Sequence, residues 1–430
     1  MGIAGCTFKL FPIVVWFYST IVRATLTNPP PQFSIPQSTS LDFVNLLIGN
    51  GGDTPNGSGG MIPSTAPPFA MTRWVAQNQV NYVSATPFNW TLNKVMGLTG
   101  THQPAIWMGE SAPISVSVGV GQDVVVDFEK RGLEVLRGHD GEKNEVVSVG
   151  YYNVQLDDGH GGSIMIEQTA STSKAFSYSN HNMTFIFLSL LASRVAHLRF
   201  TFNSNLSPYI LFEVARPSIL TSTPTNVSFP IGSVSIISPL EVCGSTSERQ
   251  DSIITPISIA PFAEHFKGYF CARFDQDTPE ASYGIIQNGS TLFPAPQNTT
   301  TEGPLLSAFA KFSTPDGPQQ TIITLRVGTS FISEDQARSN IDAEIPTSTS
   351  SVPSSSPAAT QQPHLIPGTF ENTAYRVRKS WTDLLNRIEL EPWLDANSTD
   401  PLEFVDLQTF WTAVVHTLQV CMNLSSYSDL

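Results

Sequence analysis

From Leu41 to Arg326 the chain is built of short apolar or alternating runs, among them "SAPISVSVGVG", "VVSVGYYNVQLDD", "HLRFTF", "YILFEVA", "FKGYFCARFD" and "QTIITLRVG". Val, Ile, Tyr and Phe recur with period two, and Gly, Pro, Asn and Ser punctuate the runs. That is the pattern of antiparallel strands with one buried face. So many in one region predict a large β-sandwich.

At Ser333 the period changes. The segment "SEDQARSNIDAEIP" has Ser333 three positions ahead of Gln336, a capping box, and predicts a helix closing at Pro346. A second helical pattern, "ENTAYRVRKSWTDLLNRIEL", sets Ala374, Val377, Trp381, Leu384, Leu385 and Ile388 on one face. Between the two lies "PTSTSSVPSSSPAATQQPH", whose Ser/Thr/Pro/Ala composition forms no core and reads as a loop. In the last pattern, "PLEFVDLQTFWTAVVHTLQV", Phe404, Leu407, Phe410, Trp411, Val414 and Leu418 repeat at helical spacing. One amphipathic helix cannot bury its apolar face alone, so the ending reads as the first piece of a helical domain. The segment "FSYSNHNMTFIFLSLLASRVA", Phe176 to Ala196, has neither alternation nor a helical stripe and reads as an irregular hairpin insert.

A length of 430 residues suits two or three domains. A formal net charge of -14 leaves no basic stripe, which argues against nucleic acid or an anionic membrane as partner. The N-terminus has Lys9, an apolar run from Leu10 to Val22 and small Ala24. This is the pattern of a cleaved secretory signal peptide, and the run falls short of the roughly 20 apolar residues of a membrane span. Sequons at Asn56, Asn89, Asn182, Asn205, Asn226, Asn288, Asn298, Asn397 and Asn423 agree with export. Of four cysteines, Cys243 and Cys271 are the candidates for a bridge between neighbouring strands. No zinc-spaced cluster, GxSxG, HExxH or P-loop string occurs, and the glycine-rich "IGNGGDTPNGSGG" lacks the lysine and helix of a phosphate loop.

The order of several motifs resembles the secreted α-mannosidases of glycoside hydrolase family 92. The matching pieces are "FVNLLIGNGG", "PPFAMTRW", "KVMGLTGTHQPAIWMGES", "GYYNVQLDD", "SERQD", "HFKGYFCARFD", "VGTSFISEDQARSNIDAEIP" and "FWTAVVHTLQ". The resemblance implies a mainly β fold: a large antiparallel sandwich over 40–328, a helical linker over 329–395 with its loop at 346–367, and from 396 to 430 the first helix of a truncated (α/α)6 barrel. The signal peptide would occupy 1–24. It also implies calcium-dependent, inverting hydrolysis of terminal α-mannosides on N-glycans, α-1,2-linked mannose being the family's commonest substrate. Inversion needs an acid and a base carboxylate about 6.5–9.5 Å apart. Resemblance fades after Gln419, before the region that carries those carboxylates and the calcium ligands, so no residue here is expected to fill those roles. An unspliced intron would account for both the Phe176–Ala196 insert and the divergent tail "VCMNLSSYSDL".

By the same resemblance the loop "GTHQPAIWMGES" contributes to a shared sugar pocket. Trp107 is the candidate stacking face, with core packing as its alternative. Glu110 is either an acceptor for sugar hydroxyls or a solvated turn residue. His102 is read as a support for the loop, with Thr101 and Gln103 beside it. Trp74 either approaches the same pocket or packs in a strand, and His416 on the last helix is a packing residue. The rival reading is a mannose-binding, lectin-like sandwich without turnover.

Overall fold

In strand Tyr152–Asp157 the alternation is realised directly: Tyr152, Val154 and Leu156 are buried, while Asn153 and Gln155 are half-buried and Asp157 is exposed. The computed structural model describes residues 39–52, 60–83, 85–103, 109–172, 193–220, 227–250, 265–275, 281–313, 320–347, 366–390 and 401–420, with backbone alone at 176–180, 183–187, 401–403 and 420. All of them belong to one unit, Phe33–Leu430.

Two antiparallel sheets face each other. The seven-stranded sheet runs in the order Arg73–Gln77, Gly97–Thr101, Ile114–Val120, Pro208–Ala215, Leu306–Phe312, Ala281–Gln287, Ser290–Leu292. The nine-stranded sheet runs Thr300–Gly303, Gly232–Ser238, Glu241–Thr246, Gly268–Phe274, Thr321–Ser330, Val195–Asn203, Ser163–Ala170, Tyr152–Asp157, Glu145–Val147. Trp74, Leu98, Val116, Phe212 and Phe312 of the first sheet meet Val154, Ile166, Phe200, Phe274 and Leu325 of the second in one apolar core. This is the sandwich that the pattern predicts.

Four helices complete the described fold: α1 (Thr39–Asp42), α2 (Glu334–Glu344), α3 (Phe370–Leu385) and α4 (Pro401–Val420). Ser333 caps α2 by accepting from the Gln336 amide at 3.0 Å, but the Gln336 side chain turns forward to Asn340 at 2.9 Å. Only half of the expected capping box forms. Helix α2 lies on strand Thr321–Ser330, where a Cβ at Gly328 would come within 2.3 Å of the Ala337 carbonyl oxygen. Beneath it Cys243 and Cys271 occupy opposed positions of adjacent strands, 4.1 Å apart at Cα, and are joined as a disulfide.

Helix α3 packs on strands Ser163–Ala170 and Val195–Asn203. It ends at Leu385, so Ile388 lies beyond the helix and is exposed, against the expected stripe. In α4 the buried stripe is Leu407, Trp411 and Val415. Phe404 and Phe410, expected on that face, are 48% and 37% exposed. Val414 and Leu418 pack against the same cluster, so four of the six expected positions are met; the helix is apolar around much of its circumference, and its packing leaves the two phenylalanines partly exposed. These residues join Leu41, Leu46, Val149, Val377 and Trp381 in a second, smaller core. Among the described residues no helix is long and apolar enough to cross a membrane.

Strands Phe176–Asn180 and Met183–Phe187 pair with each other in a two-stranded sheet, and Val195–Asn203 rejoins the large one. The neck of this insert is closed: the Ser171 amide donates to the Val195 carbonyl at 2.8 Å. The Glu344 carboxylate of α2 accepts from Ser171 Oγ at 2.5 Å, from the Arg194 amide at 3.0 Å and from Arg194 Nε at 2.8 Å. Of the sequons, Asn205, Asn288 and Asn298 are exposed. Asn89 is a correction: it is 6% exposed, and its amide nitrogen, the atom a glycan would take, donates to the Gly52 carbonyl at 3.2 Å. Asn56, Asn182, Asn226, Asn397 and Asn423 lie outside the described side chains.

Candidate functional site

Strand Gly97–Thr101 ends at the loop read as a pocket wall, and the loop returns at Gly109. A Cβ at Gly109 would stand 2.2 Å from the Gln250 carbonyl oxygen, so the return requires glycine. Ala112, just beyond, is held at φ 50°, in the left-handed region, with its amide donating to the Glu248 carbonyl at 2.8 Å.

Glu110 is fully buried. Its Oε2 accepts from Thr101 Oγ1 at 2.6 Å and from Asn81 Nδ2 at 3.2 Å; its Oε1 accepts from the amides of His102 at 2.8 Å and Ser111 at 3.0 Å. A carboxylate offers about four acceptor positions, and all four are met from within the fold. Glu110 therefore ties the two ends of the loop together; neither an outward-facing sugar acceptor nor a solvated turn residue describes it. Below it Gln250 accepts from the Glu110 amide at 3.2 Å and donates to Glu248 at 3.1 Å. Glu248 is itself paired with Arg216 at 3.0 Å, and burial pushes its carboxyl up.

His102 uses both ring nitrogens. Ser111 O can only accept, so Nδ1 carries the proton and donates at 2.8 Å, which leaves Nε2 to accept from the Thr72 hydroxyl at 2.9 Å. Thr72 is also 2.6 Å from the Thr329 hydroxyl. Burial holds the imidazole below its ordinary pKa, with Glu110 opposing. The ring packs on Phe331, 4.8 Å between centroids. Thr101 and Gln103 are buried in the same network, the Gln103 amide donating to Thr101 Oγ1 at 3.1 Å.

The two tryptophans stand differently. Of the two readings of Trp74, strand packing holds: it is wholly buried in the inter-sheet core. Trp107 lies outside the described residues. Sequence reasoning passed over Arg73, buried beside Trp74, whose Nη2 donates to the Gln103 carbonyl. Burial brings its guanidinium down to about 10, with Glu110 opposing. Its one signal was a lone cation within an apolar strand. Glu248 and Gln250 lie in the quoted "SERQD" motif but were given no role in the site, and nothing local marks Asn81.

Calcium asks for several oxygen ligands converging on one point. Among the described residues the grouping of potential ligands within 4.8 Å is Glu241 with Cys243 and Cys271, and those cysteines are bonded to each other. The described residues do not fit the ion.

The family model described as the glycosyl hydrolase family 92 N-terminal domain matches residues 43–190 and 191–330. No curated protein matches the chain. Among solved structures, an inverting mannosidase of family GH92 from Bacteroides thetaiotaomicron VPI-5482 aligns with TM-score 0.62 and 19% identity, over 89% of this chain and 40% of its own. A GH92 α-mannosidase from Bacteroides thetaiotaomicron aligns with TM-score 0.55 and 16% identity, over 88% of this chain and 41% of its own. Its complex with mannoimidazole gives 0.56 and 16%, over 88% and 40%. At these identities the likeness is one of fold, and this chain spans about 40% of the length of those structures. With the family model covering both sheets of the sandwich, the chain belongs to glycoside hydrolase family 92.

Proposed function

We propose that this sandwich is the pocket-forming N-terminal part of a secreted exo-α-mannosidase that releases terminal α-1,2-linked mannose from N-glycans with inversion. The observation that carries the reading is the loop from Thr101 to Ser111, on a domain matched to family 92, locked at both ends by one buried carboxylate. A wall that must meet a sugar in one geometry benefits from such locking, because the ordering cost is met on folding rather than on binding. The mannosidases with the same fold support the substrate class, one of them through its mannoimidazole complex.

The acid and the base are assigned to no described residue. The buried Glu110, Glu167, Glu241, Glu248 and Glu344 already accept from loop donors or from Arg199, Arg273, Arg216 and Arg194. In this reading the sandwich orients the sugar, and carboxylates outside the described set protonate the leaving oxygen and activate water.

The test is mannose release from an α-1,2-mannobiose, followed by NMR so that the anomer formed first is seen. The 430-residue chain is assayed alone and with the C-terminal region of a family member, each with and without a chelator. Release only in the second case, chelator-sensitive and with β-mannose appearing first, is expected. Turnover by the chain alone would overturn the placement of the acid and base; first appearance of α-mannose would overturn inversion. Binding of mannose that never becomes turnover in either case favours the lectin-like alternative.

A further inference from the structure

The seam between the sandwich and α4 gathers buried polar atoms that the fold leaves without partners among the described residues. They are Ser64 Oγ, Arg73 Nε, His416 Nε2 and Gln419 Oε1. Ser64, Arg73 and Gln419 are each at least nine-tenths buried. Their juxtaposition follows from register. Thr65 bridges Trp74 in antiparallel fashion, so Ser64 and Arg73 are diagonal neighbours on one side of the pair. His416 and Gln419 stand three apart on α4, one above the other on one face. The two pairs meet: Gln419 Nε2 donates to the Ser64 carbonyl at 3.4 Å, and the Arg73 charge helps burial push the His416 imidazole down to about 4. At the same place Phe69 is held at φ 60°, an uncommon conformation for a bulky residue, while its amide donates to the Leu418 carbonyl at 3.3 Å.

A buried polar atom without a hydrogen bond is costly, and four at one seam between two elements call for a common explanation. The set has mixed polarity. Arg73 Nε donates, Gln419 Oε1 accepts, the Ser64 hydroxyl does both, and the neutral His416 ring offers one nitrogen of either kind. An anion carries acceptors alone and would set lone pairs against Gln419. A pair of neighbouring hydroxyls on a sugar ring supplies a donor and an acceptor from each oxygen and matches all four.

We propose that Ser64, Arg73, His416 and Gln419 form a seat for two adjacent hydroxyls of a pyranose, entered when α4 shifts from the sandwich. The proposal rests on the reading of this domain as a glycan pocket and places a contact of that pocket on this chain's own residues, outside the Glu110 loop. The polar seam and the strained Phe69 turn are then features of a site kept shut in the absence of sugar.

The experiment is calorimetric titration of the whole 430-residue chain with methyl α-D-mannopyranoside, with sodium acetate as the anion control. The variants are Ser64→Ala, Gln419→Leu and the charge-keeping Arg73→Lys, each checked for an unchanged circular dichroism spectrum. Expected are mannoside binding that weakens at least tenfold in Gln419→Leu and Ser64→Ala, and no acetate binding. A crystal soaked with the mannoside that shows only water at the four atoms overturns the seat, as does an affinity the variants leave unchanged. In the second case the glycan-pocket reading stands and only the place is wrong. Acetate binding lost in Arg73→Lys replaces the diol by an anion. No mannoside binding at all also overturns the seat, while the pocket reading is then judged separately by the hydrolysis assay.

Discussion

Removing the Glu110 carboxylate would strand four donors at once, in a place water does not reach. Glu110→Ala is expected to cost about 3 kcal/mol or more, the range found when a buried, hydrogen-bonded charge is deleted. Glu110→Gln should cost less, since its carbonyl oxygen still accepts while its NH2 faces two of the former donors. Urea unfolding measures both, and equal midpoints for Glu110→Ala and the wild type would sink the anchoring role. At this scale the sequence was legible only in part. It showed that an acid, a histidine and a threonine sit within ten residues, and Thr101, His102 and Glu110 do prove to be one network. It could not show which way the acid faces, because two further members, Asn81 and Gln250, lie far away along the chain. A carboxylate flanked by Gly109 and Ser111 looks solvated in sequence, and only tertiary neighbours bury it.

Between elements the most telling contact is His197 in strand Val195–Asn203, whose Nδ1 lies 3.1 Å from Thr373 Oγ1 on α3. It is wholly buried, and burial, helped by Arg326 and Arg199, pushes its pKa down to about 3. The folded pKa is depressed below the unfolded value of about 6.5. The stability this neutral ring contributes is therefore fully present above pH 6.5 and is lost as the pH falls towards 3, by roughly 3 kcal/mol at pH 4. His197→Gln should flatten the fall in melting temperature between pH 6.5 and 4; parallel curves for the two proteins would rule this out. Element types were well marked in the sequence, strands by their alternation and α2 by Ser333. Faces were less so. In α4 Phe404, Phe410, Leu407 and Val415 all lie in an apolar helix, and hydrophobicity alone does not say which stripe meets Trp381. The Gln336 side chain, free to choose between the cap amide and Asn340, took the nearer turn of its own helix.

At the scale of the whole molecule, the two largest cores among the described residues are of unequal size, one between the sheets and one where α1, α3 and α4 meet Val149. The hydrophobic pattern revealed the first because both faces repeat over many strands. The second escaped it, being assembled from Leu41, Trp381 and Trp411, residues remote in the chain. The same distinction between local and remote ties governs the insert at Phe176–Phe187. Glu344 holds its two stalks together from α2, and the sheet closes beneath them with its register unbroken from Ala170 and Ala196 onward. The large sheet is therefore indifferent to how much polypeptide is spliced in above that clasp. This makes the segment between Thr172 and Ser193 a natural port for engineering. A short glycine turn, or a fluorescent reporter, grafted there should leave the melting temperature within a few degrees of the parent's, provided Ser171, Arg194 and Glu344 are kept. Replacing Glu344 by alanine in the same graft should remove that tolerance, and a graft that melts alike with and without the carboxylate would show that the clasp is not what insulates the sheet.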